Sequence, residues 1–349
     1  MTTRLRIGYI PLVDATLLLV ADKFGFAAEE GLALELVPEV SWANIRDKLN
    51  LGIFDAAHLL APAAIAASLG LGQVRSALVA PVALNLNGNA ITISTSLRAE
   101  MEDVLDGDAA DPAATAAALG RIARGRHRNG LPQITLGHVF PFSTHHYQLR
   151  AWLRSGGVDP DQDVNLVVLP PAFMAESLKN GQLEGFCVGA PWNSIAVASG
   201  HAVILHLGCD IVPNAPEKVL ALRAEQEARN PESTAMLIRA IRRSAQWLTQ
   251  PEARRPVAAM LADTGLFGAS EELLLAILRG SIVTAPGAEG RPAPDYIRLG
   301  PETLAPNLAH AAWLVDRMVE AGQMPDAPEL RDAAMATYRP DLFASVTAP

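Results

Sequence analysis

Cysteine is nearly absent from this chain: Cys187 and Cys209 are the only two among 349 residues. They form no CxxC pair and no disulfide framework, so the fold must hold without cross-links, and a reducing compartment is the expected setting. Aromatic residues are scarce, at 5%, which leaves Ala, Leu and Val to build the core. Basic residues are outnumbered: 28 Lys and Arg stand against 37 Asp and Glu, a formal charge of −9. That balance argues against a general nucleic-acid or anionic-membrane surface. An anion site would have to work locally against the global field. No apolar run approaches the ~18 residues that span a bilayer. Nor do the first residues read as an export signal, since Met-Thr-Thr leads straight into the strand-like Arg4–Ile10. Together these absences predict a cytoplasmic protein.

What is present is a large apolar fraction, 50% of the chain. The length corresponds to about two domains at ~150 residues each. Strand-like runs fall at Leu5–Ile10, Leu32–Val37, Ala56–Leu60, Ala90–Ser94, Ile134–Phe140, Val164–Leu169, Gly185–Val188 and Ala202–Leu207. Helical patterns lie between them, at Ala15–Phe24, Trp42–Leu51, Pro62–Leu69, His145–Ser155, Phe173–Asn180 and Trp192–Ser199. This alternation predicts an α/β protein with mostly parallel sheets, which bind ligands at the carboxyl ends of their strands. From about Asn230 the pattern turns helical, starting with an amphipathic run to Thr249. Residues 99–133 read as an insertion, an acidic stretch, then an Ala-rich helix, then a basic cluster, with a solvated surface excursion as the expected character and a docking surface for a partner as the alternative.

No hydrolase elbow, P-loop, HExxH or glycine-rich dinucleotide fingerprint occurs. The eight histidines show no metal-ligand spacing, so no metal or cofactor is expected. Five segments remain, one of them Gly189-Ala-Pro-Trp-Asn193, which follows a strand, starts a helix and is a candidate crossover. Ser41 is placed to cap a helix that opens on Trp42, giving an anion either an indole N–H or nothing more than interlobe packing. Ser143 or Thr144 caps the next candidate helix and puts His145 in its first turn, as an anion donor or as a neutral ring bonded within the turn. Pro216-Glu217-Lys218 puts a charged pair at the opening of an apolar extended run, where spacing alone favours a surface lysine at Lys218. Asn85-Leu-Asn-Gly-Asn89 is a polar bend that serves as a loop or as a crossover presenting the Asn89 amide.

Taken together, Ser41-Trp-Ala-Asn-Ile-Arg-Asp-Lys48, Asp55-Ala-Ala-His-Leu-Leu-Ala-Pro62, Leu86-Asn-Gly-Asn-Ala-Ile91, Cys187-Val-Gly-Ala-Pro-Trp-Asn193 and Pro216-Glu-Lys-Val-Leu220 resemble the nitrate- and bicarbonate-binding proteins of cyanobacterial-type ABC transporters. The resemblance runs from Arg4 to Phe343 outside the insertion. It implies a two-lobed, type II periplasmic-binding-protein fold with a ligand cleft and a helical C-terminal region. Residues 1–88 plus 190–349 would form lobe I and 89–189 lobe II. It also implies an anion held by Trp42, Asn89, His145 and Lys218, although the family usually has glutamine at the Asn89 position. Nitrate accepts hydrogen bonds only, so four donors and no carboxylate are the expected lining. Within the family the chain is similar to the cytoplasmic nitrate/nitrite sensor of bacterial nitrate assimilation. That likeness implies control of a response-regulator-type RNA-binding antiterminator, released when nitrate or nitrite binds. The other readings are a nitrate-binding component or a regulatory domain of an ABC-type nitrate transporter. A non-catalytic protein is expected. An enzyme on this fold, such as a pyrimidine synthase of thiamine biosynthesis, would need a cofactor lysine and iron-binding histidines.

Overall fold

The computed structural model describes residues 2–72 and 74–347, so the outermost ends of the expected lobe I lie outside the described residues. Two five-stranded sheets organise the chain. The first runs in the order Leu32–Pro38, Thr3–Tyr9, Ala56–Leu60, Lys218–Arg223, Leu78–Ala83. The second runs Ala202–Leu207, Asn89–Ser94, Gly185–Gly189, Ile134–His138, Val164–Val168. Each contains three mutually parallel neighbours and one strand antiparallel to both of its own neighbours. In each sheet that antiparallel strand is the one arriving from the other sheet: Asn89–Ser94 enters the second, and Lys218–Arg223 returns to the first. Antiparallel strands begin where their parallel neighbours end. Both crossing strands therefore start at the ligand-binding edge, and both start on an expected site residue.

The crossing into the second sheet is built by asparagines. Asn85 donates Nδ2 to the Asn87 carbonyl at 2.7 Å and accepts from the Lys218 N–H at 3.1 Å. Asn87 and Gly88 follow with φ of 60° and 106°, and a side chain at 88 would be strained there. Ala202–Leu207 pairs in the second sheet, beyond the division expected at residue 189. On the pairing alone, we propose crossings at residues 84–88 and 208–217.

The strand rhythm follows the sequence closely, with Leu78–Ala83 added to a five-stranded sheet and four two-residue strands outside the two large sheets. Leu78–Ala83 contains Pro81, which would interrupt a central ladder; it lies at the sheet edge, opposite a register irregularity in its partner strand. The expected surface excursion is only partly one. Pro112–Arg128 is a helix that buries Thr115, Ala116, Ala118, Leu119 and Ala123 in the core of the second lobe. The helical C-terminal region is present. Pro231–Leu248 buries Leu237, Ile238, Ile241 and Ala245 against the first lobe, and Leu308–Glu320 packs with Pro328–Met335.

The lobes are joined across the cleft by directed bonds. Thr144 Oγ1 donates to the Pro216 carbonyl at 2.6 Å, Tyr147 OH to Gln323 Oε1 at 2.7 Å, and Gln323 Nε2 to the Pro141 carbonyl at 2.8 Å.

Candidate functional site

Three of the four expected residues meet between the lobes, and each arrives through local chemistry. Ser41 caps Trp42–Asn50 by accepting from the Asn44 N–H at 3.2 Å, which fixes Trp42 in the first turn. Ser143 does the same for Thr144–Ser155, accepting from the His146 N–H at 3.1 Å and placing His145 at the cleft. Lys218 begins its strand, held by the Asn85 bond.

Lys218 is not a surface lysine: its side chain is 0% exposed. Its Nζ lies 2.8 Å from Asp14 Oδ2, contacts Glu217 Oε2, and sits 5.3 Å from the centre of the Trp42 ring. Asp14 also faces His58, Oδ1 to Nε2 at 2.8 Å, and the His58 ring packs 5.4 Å from that of Trp42. Glu217 reaches the other way, its Oε1 3.5 Å from His145 Nδ1. Asp14, His58, Glu217, Lys218, Trp42 and His145 thus form one continuous buried cluster.

Asn89 stands slightly apart. Its Nδ2 is already given to Gln148 Oε1 at 3.0 Å, and Gln148 in turn donates to the Gly208 carbonyl at 3.2 Å. It adjoins the cluster at Gly189, where a Cβ would sit 3.5 Å from Asp14 Oδ2 and 3.7 Å from Asn89 Oδ1.

Several buried polar atoms in this cluster have no hydrogen-bond partner: Trp42 Nε1, both ring nitrogens of His145, His58 Nδ1, Asn89 Oδ1 and Glu217 Oε1. Buried polar groups are almost always paired, so a group of orphans converging on one place marks where a polar ligand belongs. The set contains N–H donors from tryptophan and histidine beside an ammonium, which suits an acceptor-rich anion. Among the described residues no His, Cys, Asp and Glu cluster is arranged to hold a metal.

Burial and charge set the protonation states. Burial pushes His145 down to about 4, with Glu217 pulling it up and Lys218 pushing it down. Burial likewise lowers His58, against the pull of Asp14. For Asp14 burial acts upward, but Lys218 and His58 prevail and hold the carboxyl well below the usual range. Burial acts downward on Lys218, and Asp14 and Glu217 overcome it. At pH 7 Asp14 is therefore a carboxylate, Lys218 an ammonium, and His58 and His145 are neutral.

The expectation of a lining without carboxylates is corrected by this geometry. Asp14 and Glu217 both belong to the cluster, and His58 with them. The sequence did carry signals. Asp14 is a lone acid in the apolar run Ile10–Val20, and His58 lies inside an apolar strand.

Comparison with known proteins places this geometry. The nitrate import ATP-binding protein NrtC of Synechocystis is 30% identical over 97% of this chain, which spans 49% of that protein's length. The nitrate/nitrite binding protein NrtA of Nostoc is 27% identical over 98% of the chain and 76% of its own length. The crystal structure of the periplasmic nitrate-binding protein NrtA from Synechocystis superposes with a TM-score of 0.89 at 24% identity, over 99% of this chain and 89% of that one. The fold is that of the two-lobed periplasmic binding proteins. These relatives correct the cytoplasmic expectation: they point to a periplasmic or extracellular location. They are also named for import and binding, and give no support to an antiterminator-controlling sensor. A family model described as NMT1-like matches residues 1–262, most of the chain, and the chain belongs to that NMT1-like family.

Proposed function

We propose that this protein binds nitrate or nitrite between its lobes, without turnover, as the solute-binding component or a regulatory domain of an ABC-type nitrate importer. Its partners would then be the other components of that transporter. The observation that carries the reading is the group of unpartnered buried polar atoms, Trp42 Nε1 and the two His145 nitrogens, one of which carries the N–H of the neutral ring, beside Lys218. A planar, acceptor-only anion satisfies such donors, and the names of the relatives agree with it. A buried hydrogen bond to a charged group contributes about 1.5–3 kcal/mol. Three or four of them, less ordering costs, reach micromolar affinity, about −8 kcal/mol. Asn89 enters this reading through its Gln148 partner or through a water, since its own amide donor is engaged.

A second reading, bicarbonate, is favoured by one atom. Glu217 Oε1 is a buried acceptor without a partner, and bicarbonate has a hydroxyl to donate to it. Titration calorimetry with nitrate, nitrite, bicarbonate and sulfate at constant ionic strength separates the two. Tighter binding of nitrate or nitrite supports the first reading. Binding of bicarbonate alone replaces it with the second, and no binding of any of these anions removes both.

A further inference from the structure

Asp14, Glu217 and Lys218 have side chains no more than 2% exposed. Two carboxylates against one ammonium leave one negative charge in excess while the histidines are neutral. A monovalent anion added to this cluster would double the buried excess, and the repulsion and desolvation oppose its entry. An anion that arrives with a proton leaves the charge count unchanged.

The groups that would hold such a proton are in place. His145 has both ring nitrogens unpartnered, with Nδ1 3.5 Å from the unpartnered Glu217 Oε1, which leaves Nε2 for the anion. His58 is less suited, because its Nε2 already faces Asp14 at 2.8 Å and a single nitrogen remains. The charged and titratable groups facing His145 come from three elements. Glu217 and Lys218 lie at the start of the returning strand, Asp14 in the short helix Val13–Ala15, and His138 at the end of Ile134–His138. On its own helix, His146 turns instead to His138, the ring centres 4.5 Å apart.

Building on the anion-binding reading, we propose that the anion enters together with one proton, held by the His145–Glu217 pair. The site then recognises an anion and a proton as one neutral package. Because burial keeps the His145 ring neutral near pH 7, the proton must come from solvent as the anion binds.

Calorimetric titration of nitrate at about pH 7, in buffers of different ionisation enthalpy, counts the protons. The expected result is one proton taken up per nitrate. The dissociation constant should also rise close to tenfold per pH unit from about pH 6 to about pH 8. Glu217→Gln removes the excess charge with little change of shape. In that variant proton uptake falls towards zero, the pH dependence flattens, and nitrate binds more tightly than to wild type at about pH 8. If this variant fails to fold, the wild-type proton count decides alone. Tight nitrate binding with no proton uptake overturns the proposal and leaves the anion reading standing. No binding of nitrate, nitrite or bicarbonate at any pH overturns both.

Discussion

Two of the buried histidine networks among the described residues pair a histidine with a tryptophan and differ in whether the polar atoms of that pair find partners. In the second lobe, His206 Nε2 meets Thr115 Oγ1 at 2.7 Å, and Trp152 Nε1 donates to the same hydroxyl at 3.1 Å. Between the lobes, Trp42 Nε1 and the two nitrogens of His145 have no hydrogen-bond partner. Both networks pair a tryptophan with a histidine, both are buried, and burial pushes His206 and His145 alike down to about 4. Composition and burial therefore do not distinguish them; satisfaction does. A network whose polar atoms are paired internally stabilises the fold. One whose atoms are left unpaired lowers stability and is retained for something else.

Substitutions can break that contrast. The largest expected effect is at Lys218. Lys218→Ala strands Asp14 and Glu217 as buried carboxylates without their counter-charge. Breaking a buried pair in this way costs about 3–5 kcal/mol. Denaturant unfolding of this variant should show that loss, and calorimetry the loss of nitrate binding as well. His145→Ala removes an unpartnered ring, so stability should change little. Nitrate affinity should fall by about 1.5–3 kcal/mol, roughly ten- to a hundred-fold, in the same calorimetric assay. Thr115→Val should do the reverse. It leaves Trp152 Nε1 and His206 Nε2 without a partner, costs about 1–3 kcal/mol in denaturant unfolding, and leaves nitrate affinity unchanged.

The smallest contrast is in pH. His58, His138, His145, His146 and His206 are all held below their ordinary value of 6.5 by burial. A base whose folded pKa is depressed is protonated first in the unfolded chain. Stability is therefore complete above about 6.5 and declines as pH falls from there towards about 4. Saturating nitrate should blunt the decline, because it would raise His145 in the folded state. Thermal unfolding across that pH range, with and without nitrate, measures the difference.

Much of this architecture was legible in the sequence because its signals are local. Apolar runs of strand length, serine caps before Trp42 and His145, and the Asn-Gly bend before Asn89 each act over a few residues. The edge strand Leu78–Ala83 was hidden by Pro81, which reads as a strand breaker without knowledge of the sheet edge. The helix Pro112–Arg128 was legible from its alanines, but its charged flanks hid that one face of it is core. In the site, Trp42 and His145 stood out because each follows a serine cap, whereas spacing alone favoured a surface lysine at Lys218 and only the family resemblance set it beside them. Asp14 and Glu217 could be seen but not assigned. Their roles depend on Lys218 joining its neighbour Glu217 to Asp14, which follows the first strand of the same sheet, and no local spacing encodes the Asp14 contact.

The central claim is that the unpaired network takes a small oxyanion while the paired one does not. Thermal unfolding of wild type, His145→Ala and Thr115→Val, with and without nitrate at constant ionic strength, tests it directly. A ligand at 100 times its dissociation constant adds about 2.7 kcal/mol, a rise of a few degrees in Tm. We expect that rise in wild type and in Thr115→Val, and its loss in His145→Ala. An equal rise in His145→Ala, or a loss confined to Thr115→Val, would contradict the account.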